Sequence, residues 1–254
     1  MKNIFKISLL VSTLFIHNAF AENYMGFQLG YSSPMDLSDV SGDENLNYPN
    51  AATSSQLLSG TTASDAKLED SHLLGFKIGH YFEKKPFLGI EGELFHTQPN
   101  FKTQTVRLEH ADAGTKLGIP GATAFHEAQR PANVDLYTLA FNVMFRYQDL
   151  EKYTPYVGIG PAIYHWRVSG TGTSCEIIEL GNSPCSAPDV SENATTFGIN
   201  FKFGSEYEIS EDMSVGLEYK YNYADFELDQ FRSMQNIEGK YKAQAFAVSL
   251  IKRF

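Results

Sequence analysis

The chain has little of what a nucleic-acid binder or a helical membrane protein needs. Lys and Arg number 20 against 30 Asp and Glu, for a formal net charge of −10. That balance excludes the clustered basic surface that phosphate backbones require. Past the first residues no segment approaches the roughly 18 consecutive apolar residues of a membrane-crossing helix. Neither a P-loop, a Rossmann Gly-x-Gly-x-x-Gly nor an H-E-x-x-H is present, and the acidic stretches lack D-x-D-x-D-G calcium spacing. Cysteine is limited to Cys175 and Cys185. What is abundant is Gly (20), Tyr (14) and Phe (19), with apolar residues at 43%. That mixture favours strands joined by tight turns.

The first 21 residues, "MKNIFKISLLVSTLFIHNAFA", set the compartment. Lys2 and Lys6 precede an apolar run over 7–16, and Ala19-Phe20-Ala21 closes it. This is the pattern of a cleaved secretory signal peptide, too short to anchor in a bilayer. The expected domains are a signal peptide over 1–21 and one folded domain over 22–254. Two cysteines in an exported chain are expected to pair. A bridge between Cys175 and Cys185 would staple a short loop, stabilising it by roughly 2–3 kcal/mol.

Period-two alternation dominates the remainder. "VGLEYKYNY" (215–223) sets Val215, Leu217, Tyr219, Tyr221 and Tyr223 against Gly216, Glu218, Lys220 and Asn222. "LGIEGEL" (88–94), "YTLAFNVMFRY" (137–147) and "FGINFKFGSEY" (197–207) alternate in the same way. Weaker stretches at 24–32, 72–82, 155–168 and 241–254 bring the expected number of strands to eight. Their connections take turns. "EKKP" (83–86), "DLEKY" (149–153) and "SEDM" (210–213) are tight, whereas 33–71, 99–132, 169–194 and 227–240 are long. All long loops would then emerge at one end of the sheet.

Alternation alone fits either a soluble barrel with an apolar interior or a membrane barrel with an apolar exterior. Three features favour the second. The polar faces carry the glycines, as a narrow lumen requires. Aromatics gather in two bands, as interfacial girdles do: Phe82, Phe87, Tyr147, Tyr153, Tyr156 and Tyr207 by the short turns, and Tyr31, Phe95, Tyr137, Tyr164, Trp166, Tyr223 and Phe226 by the long loops. Long loops at one end and short turns at the other match the outer-membrane arrangement. Pro161 within the fifth strand cannot donate to the ladder, so a bulge is expected there.

With its eight alternating strands, the Gly-rich "TPYVGIGPAIY" (154–164) and the terminal Phe254, the sequence resembles the OmpA-like outer-membrane β-barrel superfamily over essentially all of 22–254. The resemblance implies an all-β fold, an eight-stranded antiparallel up-and-down transmembrane β-barrel in the outer membrane of a Gram-negative bacterium. The peptidoglycan-binding domain of OmpA itself is not expected. The resemblance also implies that Phe254 is part of a signal read by the barrel-assembly machinery. Lys252 stands where such barrels often place an aromatic, with a stem able to snorkel.

By parity the lumen receives Lys77, Glu91, Glu93, Arg146, Lys202, Glu206, Glu218 and Lys220, four bases and four acids. Buried charges persist only when paired, so a network plugging the lumen is expected; the alternative is a small gated porin for polar solutes. The acidic loops suggest a surface scaffold for adhesion or antigenic contact with an unknown extracellular ligand. Arg167 and Trp166 are candidate contacts for lipopolysaccharide phosphates. Some barrels of this class modify lipid A with a His, a Ser and an acid. His96, His165, Ser169 and Glu93 are the residues available, but Glu93 points to the lumen by parity, so no enzyme is expected. His110, Asp112 and His126 match no standard metal spacing. No cofactor, metal or nucleic-acid partner is expected.

Overall fold

The computed structural model describes residues 22–46, 56–117, 121, 123–129, 131–170, 174–176, 184–186, 190–231 and 234–254; the expected signal peptide, 1–21, lies outside them. The strands are β1 (Glu22–Pro34), β2 (Ser38–Leu46), β3 (Gln56–Ala63), β4 (Ser71–Phe82), β5 (Lys85–Thr97), β6 (Gln104–Glu109), β7 (Ala124–Gln129), β8 (Asn133–Arg146), β9 (Tyr153–Gly170), β10 (Ser174–Glu176), β11 (Pro184–Ser186), β12 (Val190–Ser210), β13 (Met213–Phe231) and β14 (Met234–Arg253). A five-residue helix, α1 (Ala113–Leu117), lies between β6 and β7.

Eight of these strands close a ring in the order β1-β4-β5-β8-β9-β12-β13-β14, and β14 pairs back onto β1, with Phe27 opposite Leu250. All ring pairings are antiparallel, so this is the expected up-and-down barrel. Its outer wall is apolar. Phe27, Leu74, Leu94, Phe141, Ile159, Phe201, Leu217 and Phe246 are all exposed. Such a belt is unfavourable in water and favourable in hydrocarbon.

The strands outrun the membrane. A tilted spanning strand needs about 9–11 residues, whereas β9 has 18, β13 has 19 and β12 has 21. The excess projects at the end opposite the short turns. There β2 takes over from β1 beside β14, and the sheet continues through β3, β6 and β7. The residues expected to form long solvated loops thus include hairpins that prolong the barrel wall. Within the expected loop over 227–240, the described residues 227–231 and 234–240 are strand, since β13 runs to Phe231, which pairs with Met234. The β14–β2 seam is irregular, and its left-handed residues are Asp39 (φ 53) and Asn236 (φ 49), types that tolerate that conformation.

Pro161 does not bulge. The β8–β9 register is the same on both sides of it (Ala140↔Ala162, Val143↔Ile159), and β12 pairs through it without a shift. Proline removes donor capacity here without displacing the chain, so inside–outside alternation continues upward along β9.

Candidate functional site: the filled axis of the barrel

All eight charges assigned to the lumen by parity are buried there. They form two groups, because the strands deliver them at different heights. In the first, Lys202 Nζ lies 3.3 Å from Glu93 and 3.1 Å from Glu218 and also pairs with Glu91. Lys220 pairs with Glu93 and with Glu218 at 2.6 Å, and Lys77 with Glu218 at 3.3 Å. Three ammonium groups thus face three carboxylates. Neutral donors complete the shell: Tyr24 donates to Glu91 (2.8 Å), Tyr156 to Glu218 (2.6 Å) and Gln28 to Glu93. Lumen glycines make the room. A Cβ on Gly79 would overlap the Tyr24 ring, and one on Gly158 would press on Lys202 Cγ at 3.2 Å.

The second group closes the end with the short turns. Arg146 reaches Glu22 at 2.7 Å, while Arg253 reaches Glu22 at 2.9 Å and also pairs with Glu206. Arg146 also stacks over the Tyr81 ring, 3.6 Å from its centroid. Glu22 and Arg253 were not among the expected lumen charges. Both share the inward parity of their strands, but Glu22 precedes the stretch that alternation marks (24–32) and Arg253 sits at the very end of the last one (241–254).

Above the ion groups the interior changes character. Leu136, Tyr164, Val168, Phe226 and Tyr241 point inward and pack around Trp166. Trp166 meets Phe226 edge-on at 5.1 Å and Tyr241 at 4.8 Å, and its indole N–H donates to Thr196 Oγ1 at 3.2 Å. Tyr164 donates to Asn222 Oδ1 at 3.1 Å. This corrects the expected outer girdle. Tyr31 and Tyr137 do face outward, but Phe95, Tyr164, Trp166 and Phe226 are core. At the other end Tyr156 is likewise inward, whereas Phe82, Phe87, Tyr147, Tyr153 and Tyr207 are exposed. Trp166, only 2% exposed, is removed from the candidate lipopolysaccharide contacts, because it shares the inward parity of Gly158 and Gly160. Arg167 remains outward and exposed, with a 3.4 Å hydrogen bond to Asn193.

Where the interior turns apolar, the exterior turns polar. On the outer face His96 Nε2 lies 3.0 Å from Asp135, to which Gln98 also donates at 2.9 Å, and His165 Nδ1 lies 2.9 Å from Thr195 Oγ1. The structure does not bring the candidate His–Ser–acid residues together. Glu93 sits inside the lumen with Lys202 and Lys220, and Ser169 pairs with Asn133 on the ladder. His110 is engaged by Ser59 O and the Asp112 N–H, and His126 lies on β7 opposite Arg107. Cys175 and Cys185 face each other across the β10–β11 ladder; their side chains lie outside those described. Phe254 is outward and exposed, and its N–H donates to Asn23 O at 3.0 Å. Lys252, two residues earlier, pairs with Asp212.

An antiparallel ring with a greasy outside, a charged inside and aromatics at its edges defines an outer-membrane β-barrel. The chain belongs to the outer membrane protein beta-barrel domain family, whose model matches residues 7–254. Among solved structures it is similar to the outer membrane protease OmpT from Escherichia coli (9% identity, 95% of this chain and 100% of that one, TM-score 0.52). It is also similar to Neisserial surface protein A (11% identity, 93% and 98%, TM-score 0.43) and to OprG from Pseudomonas aeruginosa (12% identity, 92% and 96%, TM-score 0.46). At 9% identity the likeness to OmpT is one of fold alone. No curated protein matches the chain.

Proposed function

We propose that the protein is a closed, non-conducting outer-membrane scaffold that holds a stiff extracellular platform for contacts at the cell surface. One observation carries this reading: the axis is filled twice. Lys77, Lys202, Lys220, Glu93 and Glu218 are at most 1% exposed in the lower half, and a Trp166-centred core fills the upper half. An eight-stranded barrel has just enough interior for side chains, and here both a polar and an apolar set occupy it. Among the described residues the platform is built largely from hairpins, which present a defined surface to an adhesive or antigenic partner. The apolar wall is bathed by outer-membrane lipid, Arg167 meets lipopolysaccharide phosphates at the rim, and Phe254 presents the last strand to the barrel-assembly machinery. The test is planar-bilayer recording on purified protein. Membranes that take up the protein without gaining current support the scaffold, whereas a large, steady conductance overturns it in favour of a small porin.

A further inference from the structure

The barrel wall is split at its extracellular end. The β8–β9, β9–β12 and β13–β14 ladders run to the tops of their strands, at Asn133↔Ser169, Gly170↔Val190 and Phe231↔Met234. The β12–β13 ladder stops at Gly198↔Ala224, although β12 continues up to Val190 and β13 to Phe231. Among the described residues, 190–197 pair only with β9 and 225–231 only with β14. Above that point the two antiparallel strands no longer pair with each other, and among the described residues each leaves a row of backbone N–H and C=O groups without a ladder partner. Unpaired edges are templates for another strand.

The side chains around this slit define what would fit. Facing inward are Ala194, Thr196, Phe226 and Leu228, continuous with the apolar core. Facing outward on β13 are Asp225, Glu227 and Asp229, all exposed. The negative surface continues into a cleft of about 410 Å³ lined by Asp39, Glu227 and Glu238, whose cation, Lys240, is already paired with Asp39 at 2.9 Å. We infer that this slit is a docking site for an extended segment of a partner protein in which apolar residues alternate with Lys or Arg. Backbone pairing to the two edges would hold the segment, apolar side chains would face the Trp166 core, and basic ones would face the β13 carboxylates. This is strand addition with period-two selectivity. It deepens the scaffold reading by naming the class of partner.

Trp166 is the only tryptophan. It is bonded to Thr196 on one lip and packed on Phe226 of the other, so its emission reports on the slit. The probe is a Trp-free, end-blocked heptapeptide of alternating Val and Lys, titrated onto the mature protein in zwitterionic micelles. The expected result is a saturable change in Trp166 emission. N-methylating alternate peptide nitrogens removes the pairing and is expected to weaken binding by at least about tenfold. The triple variant D225N/E227Q/D229N weakens it by about tenfold, and a Val–Glu peptide does not bind. The inference is overturned if the Val–Lys peptide gives no saturable change, or if its N-methylated form binds equally well. It is also overturned if emission tracks protein concentration without peptide, which would make the slit a self-association site. A closed barrel that ignores the peptide removes the slit and leaves the scaffold; a conducting barrel that binds it does the reverse.

Discussion

Lys202 is the cation on which the lumen depends most. It pairs with Glu91, Glu93 and Glu218 and is fully buried. In Lys202→Met the apolar stem is kept and the charge is lost, leaving three buried carboxylates with only Lys77 and Lys220. Breaking a buried network by removing one partner costs about 3–5 kcal/mol, because the remaining charge stays desolvated. The unfolding equilibrium should shift by roughly two to four decades. Adding Glu91→Gln restores a balance of two bases and two acids and keeps an acceptor for the Tyr24 hydroxyl, 2.8 Å from the carboxylate it replaces. The double variant should regain a large part of the loss. The assay is equilibrium denaturant unfolding from lipid vesicles, read by Trp166 emission and analysed as a double-mutant cycle. The reasoning fails if Lys202→Met is within about 0.5 kcal/mol of wild type, or if the double variant is no more stable than the single.

Other consequences can be checked separately. Cys175 and Cys185 are directly opposed on antiparallel strands, where the expected Cα separation of about 4.5–5.5 Å suits a disulfide; exported protein should show no free thiol until it is reduced, by mass spectrometry after alkylation. A Cβ on Gly160 would overlap Phe141 O, so Gly160→Leu should prevent correct barrel closure, visible as loss of the heat-modifiable band on a gel, while Gly92→Ala, whose Cβ would meet only Ile78 Cγ2 at 4.0 Å, leaves that band intact. Asp39, beside Lys240, and Asp43, which accepts from Asn236, both have carboxyl pKa values held below the usual range. A depressed folded-state pKa means stabilisation present at neutral pH and lost as pH falls through that value. Amide exchange in β2, corrected for intrinsic rates, should therefore speed up on acidification below about pH 4, and an unchanged protection factor would refute this.

Much of the membrane section was legible from alternation. Every expected lumen charge lies inside, because one residue's parity in a strand fixes that of its neighbours. Glu22 and Arg253 escaped because alternation fades at strand ends. The inward aromatics were misplaced for a different reason. Trp166 and Tyr164 share parity with Gly158 and Gly160, which marks them as interior, but their height near the rim made them look like girdle residues. Height along a strand and direction across it are independent, and parity decides direction. The extracellular hairpins were not legible at all. The run "NAATSSQLLSGTTAS" (50–64) has no clear period, yet Gln56–Ala63 is strand. Its hairpin partner β2 pairs with β14 across almost the whole chain, Ser41 opposite Glu238, and such long-range pairing leaves no local trace.

The central claim is that the wall reverses polarity along its height, with apolar side chains facing lipid below and the axis above. Paramagnetic relaxation from spin-labelled lipid, measured on side-chain methyl and aromatic signals in bilayers, tests this directly. The account predicts strong broadening at Leu139, Phe141, Ile159 and Phe201, and little at Leu136, Trp166 and Val168. Broadening of Leu136 and Val168 as deep as that of Phe141 would contradict it.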